Sequence, residues 1–290
     1  GNQQRQQMKR KNTVPKKIRH IRTMVAVVVA VVIAVATAAK KVLPTDEDAV
    51  HGIPGLQVES LTRVQLPDEM PEIWLEYAGF DVSFNPQRHN PNYASWILTP
   101  SRADGEEERS NRFRSDNDVL GCARLDDYRN SGYDRGHMAP AGDMKWSARA
   151  MDDSHLLTNI VPQNRRLNSG RWNQLEMLCR QWVMRDSILV IVSGPIYDSD
   201  SPQTIGESRV AVPDRLFKAI IAPMAQPVRA IAFVMPNEAT RKPLQEMAIS
   251  IDSLEEITGY DFFSSLPDSI QRGVEASAHY NRWNMRAIRP

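Results

Sequence analysis

Two short stretches of this chain concentrate side chains that can handle a phosphate. In "SGYDRGHMAPAGDMKWS" (131–147), Arg135 and Gly136 stand directly before His137, among small residues and a proline. A structural histidine needs one hydrogen-bond partner and no such neighbourhood. A histidine that takes a proton from water beside a phosphate needs a nearby cation and a backbone that can come close. In "TNIVPQNRRLNSGRWNQLE" (158–176), the amides Asn159, Gln163, Asn164 and Asn168 mix with Arg165, Arg166 and Arg171 and a single acid, Glu176. On a helix, Asn168 and Glu176 would lie two turns apart and about 80° around the axis, so both can face one cleft. A neutral amide is a weak ligand, but Mg²⁺ accepts it, because that ion keeps several waters and takes further ligands from substrate phosphates. Histidine, amide and arginines together suit phosphodiester hydrolysis. The histidine takes the proton of water, and cations neutralise charge on the phosphoryl oxygens.

These residues need elements to hold them. Trp172, Leu175, Cys179, Trp182 and Val183 recur at helical spacing, which predicts a helix over 168–186 with Asn168 as its N-cap. A second helix is expected at 251–259, stopped by Gly259. "YASWILT" (93–99), "ILVIVSGPIY" (188–197), "LFKAIIAP" (216–223) and "VRAIAFVMP" (228–236) read as buried strands, and a further strand should end at His137. Strands and helices without regular βα alternation indicate an α+β domain.

The formal net charge of the 290-residue chain is +1, but residues 1–41 carry ten Lys and Arg and no acid. The remainder, with 26 basic and 35 acidic residues, is net −9. That balance counts against a broad basic surface; a phosphate site must be a local arginine cluster. Residues 24–39, "MVAVVVAVVIAVATAA", are uncharged. As a helix they would reach roughly 24 Å, near the hydrocarbon thickness of a bilayer. Eight basic residues precede them, so the expectation is a membrane anchor with the N-terminus in the cytoplasm and the rest in the periplasm or outside the cell. A cleaved signal ending near Ala36-Thr37-Ala38, with secretion, is the alternative. The organisation expected is a basic tail (1–23), an anchor or signal helix (24–39), a linker rich in Pro and Gly (40–70) and a folded domain (71–290). In an exported domain Cys122 and Cys179 can pair.

"DRGHMAPAGD" (134–143), "TNIVPQN" and "LNSGRWNQLE" together resemble the DNA/RNA non-specific endonucleases, the sugar-non-specific nucleases of the ββα-metal superfamily, over about residues 72–285. The resemblance implies a ββα-metal fold: a central, mostly antiparallel sheet flanked by helices. It implies Mg²⁺-dependent cleavage of DNA and RNA, with Mn²⁺ able to substitute, 5′-phosphate and 3′-hydroxyl products, and in some members a homodimer. By the same resemblance His137 is the general base and Asn168 the one side-chain metal ligand. Glu176 binds metal-held water, Arg135 holds the phosphate region, and Asn159 orients the histidine or substrate. An upstream phosphate-contacting arginine matches Arg109, with Arg112 and Arg114 competing. Arg165, Arg166 and Arg171 read as surface charges or contacts along the substrate path. Asp134 has an expected structural role. His20, His51, His89, His155 and His279 show no partner pattern and are read as non-catalytic, and Trp146, Trp172 and Trp182 as core. Two other functions compete: a membrane-tethered, catalytically silent nucleic-acid-binding module, and a phosphodiesterase acting on phospholipid.

Overall fold

The structure, a computed structural model, describes residues 53 and 55–283. The described residues belong to one compact unit. The expected tail and the expected anchor or signal helix at 24–39 lie outside the described residues. Among the described residues no helix is long and apolar enough to cross a membrane.

Seven strands form the main sheet: β1 (Ile73–Glu76), β2 (Asp81–Asn85), β3 (Asn90–Leu98), β6 (Leu189–Ile196), β9 (Arg215–Ala222), β10 (Arg229–Pro236) and β11 (Ala248–Ile249), adjacent in that order. Every adjacent pair is antiparallel. Two two-stranded antiparallel pairs stand apart from it, β4 (Asp134–His137) with β5 (Ile160–Gln163), and β7 (Thr204–Ile205) with β8 (Val210–Ala211).

The central strands read as unbroken apolar runs because both faces of the sheet are covered. Side chains alternate between faces along a strand. On β9, Leu216, Ile220 and Ala222 enter one core, and Phe217, Ala219 and Ile221 the other. The first core receives helix α2 (Asn173–Asp186) through Leu175, Leu178, Cys179, Trp182 and Val183. The second receives α3 (Ile251–Thr258) and α4 (Asp268–Glu275), together with Val58, Leu61 and Val64. The packed region thus begins ahead of the boundary expected near residue 70, because the apolar residues of "VESLTRV" cover the sheet. Helix α1 (Ala148–Ser154) opens at Ser147, whose hydroxyl accepts from the Ala150 N–H. Gly259 ends α3 in the left-handed conformation (φ 71°), as expected.

Two expectations are corrected here. Cys122 and Cys179 are both free thiols. Cys179 lies on α2 in the first core, while Cys122 packs against a separate small cluster around Leu157 and Ile160. Nor is Asn168 the helix cap. Asn164 (ψ 129°) performs that role, its Oδ1 accepting from the N–H groups of Arg166 and Leu167. A cap must be non-helical so that its side chain can fold back onto the first turn, and Asn168 already has helical φ/ψ (−54°, −52°). A π-helical turn, Asn168–Trp172, follows, distorted at Gly170 (φ −105°, ψ −110°), and only then does regular α2 begin.

Candidate active site

Strand β4, strand β5 and α2 make a ββα unit, and His137 is the last residue of its first strand, paired with Ile160. Gly136 is a requirement of this pairing, since a Cβ there would collide with the buried Gln163 side chain. The turn entering β4 uses Gly132 at φ +84°, a conformation that favours glycine. Beyond His137 the chain is clamped by Asn159. Its Oδ1 accepts from the Ala139 N–H at 2.9 Å, and its Nδ2 donates to the carbonyls of Ala139 and Ser154, each at 2.9 Å. Asn159 therefore holds the loop that positions the histidine, and its hydrogens are already engaged.

His137 is only 7% exposed, and its Nε2 is buried without a partner. The ring packs against Phe113 (centroids 5.3 Å apart) and His155 (4.9 Å). Burial, then the charges of His155, Arg109 and Arg135, hold its pKa well below the ordinary 6.5. His137 is thus neutral at pH 7, the form that can accept a proton.

Beside it lies a cleft of about 560 Å³, whose lining includes Arg109, Arg129, Asp134, Arg135, Arg165 and Asn168. The Arg135 guanidinium lies 4.4 Å from the centre of the Phe113 ring, which links the arginine to the histidine's neighbour. Of the three candidate upstream arginines, Arg112 and Arg114 are drawn to Asp152, at 3.8 and 2.9 Å. Arg109 is exposed, lines the cleft and lowers the pKa values of His137 and Glu176. Geometry thus places Arg109 at the site. Arg165 donates from Nε to Asp134 Oδ1 at 3.1 Å, and Arg166 is exposed. Arg171 is held elsewhere, by Gln174 and the Arg241 carbonyl, and does not line the cleft. Arg129 also lines the cleft; it sits in no sequence motif and only the fold reveals it.

Asn168 reaches β4 through Asp134, donating from Nδ2 to Asp134 Oδ2 at 3.2 Å. That bond fixes the amide and leaves Oδ1 as a hard oxygen donor, the atom Mg²⁺ would take. Among the described residues, the three acids near enough to make a cage of protein ligands are Asp252, Glu255 and Glu275, none of which lines this cleft. A metal here would depend on few side-chain ligands, with water and phosphate completing its shell, as Mg²⁺ tolerates.

Glu176 is half-buried on α2, and burial pushes its carboxyl up to about 7 against the opposing pull of Lys218 and Arg180. Lys218 was invisible as a site residue, because it interrupts an apolar strand. It points into the first core, fully buried, with Nζ 4.9 Å from the Trp96 ring and 4.6 Å from the Trp172 ring. Trp172 closes the π-helical turn that carries Asn168, so this cation packs against the frame of the proposed metal ligand. Asp143 is buried too, accepting from Trp96 Nε1 at 3.0 Å and Arg180 at 2.7 Å. Trp172 and Trp182 are core, as expected. His155, read as non-catalytic, lies with its ring 4.9 Å from that of His137.

An antiparallel α+β domain with a histidine-bearing ββα unit on an arginine-lined cleft is a recognisable class of protein. The chain belongs to the DNA/RNA non-specific endonuclease family, whose model matches residues 58–269. It is 39% identical over 207 residues to the mitochondrial nuclease EXOG of Danio rerio, covering 66% of this chain and 60% of the relative. The mitochondrial nuclease of Saccharomyces cerevisiae is 35% identical over 219 residues, covering 67% of each. The crystal structure of the EndoG/EndoGI complex, concerned with EndoG inhibition, matches with a TM-score of 0.64 at 27% identity, covering 67% of this chain and 86% of that one. The chain spans 56–66% of the length of the vertebrate EXOG relatives. These relatives are mitochondrial nucleases, which overturns the expectation of a membrane-anchored domain in the periplasm or outside the cell. A hydrophobic run with a basic flank is shared by export signals and organelle-directed segments, so that inference had chosen between compartments on charge alone.

Proposed function

We propose that this chain is a Mg²⁺-dependent endonuclease that hydrolyses DNA and RNA without base specificity. The observation that carries the reading is His137: buried, neutral and one ring away from a cleft lined by arginines. Arg109, Arg135 and Arg165 draw in the phosphate, and an arginine cluster of this kind reads backbone charge rather than base identity. His137 takes a proton from the attacking water, whose oxygen bonds to phosphorus as the bond to the 3′-oxygen breaks. The products are a 5′-phosphate and a 3′-hydroxyl. Asn168 would hold Mg²⁺ through Oδ1, and Glu176 would orient water on it. The ion supplies Lewis-acid neutralisation of charge on the phosphoryl and leaving oxygens. Asp134 fixes Asn168, and Asn159 fixes the loop behind His137. The relatives' names support a mitochondrial setting. The test is incubation of the full chain with supercoiled plasmid and with structured RNA, with Mg²⁺ and with EDTA. Cleavage of both substrates, abolished by EDTA and recovered with Mg²⁺, is expected. Undiminished cutting in EDTA, or no cutting in Mg²⁺, would defeat the reading.

A further inference from the structure

Helix α3 carries Asp252 and Glu255 three residues apart, a spacing that sets both on one face of the helix. Helix α4 ends in Glu275. The fold brings these acids together, with one carboxylate oxygen of each within 4.8 Å of the other two. Glu275 is the buried member: it is 6% exposed, and its Oε1 has no hydrogen-bond partner. Glu255 is held by the chain that joins the two helices, since its Oε1 accepts from the Phe262 N–H at 2.8 Å. Asp252 is exposed, so water reaches the cluster from its side. The charges acting on Glu275 are Glu255, Asp252 and Asp261, and those acting on Glu255 are Asp261 and Asp252, all of them acidic. The Gln271 side chain, a turn earlier on α4, favours the charged form of Glu275 but brings no positive charge. The C-terminal end of α4 adds the negative pole of the helix dipole. A buried carboxylate in such a place is costly unless a proton or a cation joins it.

From this arrangement we propose that Asp252, Glu255 and Glu275 bind a divalent cation of Ca²⁺ size, which ties α3 to α4. The site is distinct from the arginine-lined cleft, whose lining includes none of the three, and it does not depend on the roles given to His137 and Asn168. Ca²⁺ takes six to eight oxygens in a flexible shell, whereas Mg²⁺ demands a near-octahedral one, keeps its waters and is usually held by one or two carboxylates. Three carboxylates from two helices therefore suit the larger ion. Oxygens within 4.8 Å of one another fit inside its shell, where opposite ligands stand about 4.6–5.2 Å apart. Glu275 supplies the buried oxygen, Glu255 one already oriented by the interhelical chain, and Asp252 the oxygen at the solvent side, where water completes the shell. The ion neutralises a group of acids that have no basic partner. In metal-free buffer a proton answers part of the same need, because burial and the acidic neighbours hold the Glu275 carboxyl up at about 8.

The test is the melting temperature of the full chain in EDTA, in excess Ca²⁺ and in excess Mg²⁺, with calorimetric titration of Ca²⁺. It compares the parent, Asn168→Ala and the double variant Asp252→Asn/Glu255→Gln. Both substitutions of the double variant keep the side-chain shape, and Glu255→Gln keeps an oxygen for the Phe262 N–H. Ca²⁺ should raise Tm by the same few degrees in the parent and in Asn168→Ala, because an ion that binds only the folded chain stabilises it. The double variant should gain little, and its Ca²⁺ affinity should fall ~10-fold or more, since two of three ligand charges are gone. Asp252→Asn alone, at an exposed position, should lose part of the gain and serves if the double variant fails to fold. A parent whose Tm is the same in Ca²⁺ and EDTA overturns the proposal. So does a gain that survives undiminished in the folded double variant. A gain abolished by Asn168→Ala would put the ion in the cleft and overturn it equally. An equal gain in Mg²⁺ would overturn the assignment to an ion of Ca²⁺ size.

Discussion

At the scale of single residues, the proposed mechanism depends on an imidazole that is kept uncharged. His137→Ala should lower single-turnover cleavage of plasmid by at least ~10² to 10⁴, the usual contribution of a general base, with the circular dichroism of the parent retained. A near-parent rate in the folded variant would mean the proton goes elsewhere. The pKa of His137 is depressed below 6.5, so its neutral form persists below that pH and the base is lost only as pH falls through the lowered value. A kcat profile of Glu176→Gln, which removes the carboxyl that titrates near 7, with an acid limb above 6.5 would contradict this. Asn168→Ala should fail differently. Its Mg²⁺ affinity should drop, and excess Mg²⁺ should recover part of the rate, whereas no Mg²⁺ concentration should recover His137→Ala. A Mg²⁺ titration of each variant separates the two.

At the scale of elements, the approach of Asn168 to β4 is set by what precedes it. Asn164 caps the first turn, and the Asn168 N–H donates to the Asn164 carbonyl at 2.9 Å. Asn164→Ala should therefore cost about 0.5–2 kcal/mol, the ordinary value of an N-cap. For a domain of this size each 1 kcal/mol lowers Tm by about 2–4 °C. Asn164→Asp should recover most of that loss, because its side-chain oxygen still accepts. A melting temperature unchanged in Asn164→Ala would show that the π-helical turn holds without its cap. Regular elements were largely legible. The strands expected at 188–197, 216–223 and 228–236 appear at Leu189–Ile196, Arg215–Ala222 and Arg229–Pro236. Unbroken apolar runs bounded by Gly or Pro have few other ways to fold. The cap was misread because Asn164 and Asn168 are both good caps by residue type. Backbone ψ, which sequence does not display, chose between them.

At the scale of the whole molecule, charge is segregated. The region after residue 41 is net −9, yet its cleft is lined by Arg109, Arg129, Arg135 and Arg165. Binding of duplex DNA should therefore weaken with salt with a log–log slope of roughly −3 to −4, about −0.9 for each phosphate neutralised. A slope near −8 would require a wider basic surface than this cleft. Outside the cleft lining, Glu275 ends α4 at 6% exposure, and burial, then Glu255 and Asp252, push its carboxyl from 4.5 up to about 8. Between those two pH values the folded chain holds a proton that the unfolded chain has released, so stability falls as pH rises through that window. Glu275→Gln should raise Tm by a few degrees at pH 8 and by little at pH 4.5. An equal gain at both would show that the carboxyl is not buried as an acid.

What the sequence by itself determined is the chemistry available. "DRGH", the amide-rich block and Glu176 at helical distance bring a histidine, amides, arginines and an acid into two short stretches, and the family resemblance they carry implies a histidine base and an amide ligand. The sheet strands were equally explicit, since apolar runs record burial directly. Tertiary structure decided which of several similar residues take part. Arg109 lines the cleft while Arg112 and Arg114 are drawn to Asp152. Cys122 and Cys179 stay apart in separate cores. Lys218, hidden in an apolar strand, meets Trp172, and His155, without a motif, meets His137, only because folding brings them together. Such choices depend on contacts between segments distant along the chain, and a pattern of neighbours in sequence carries no record of them.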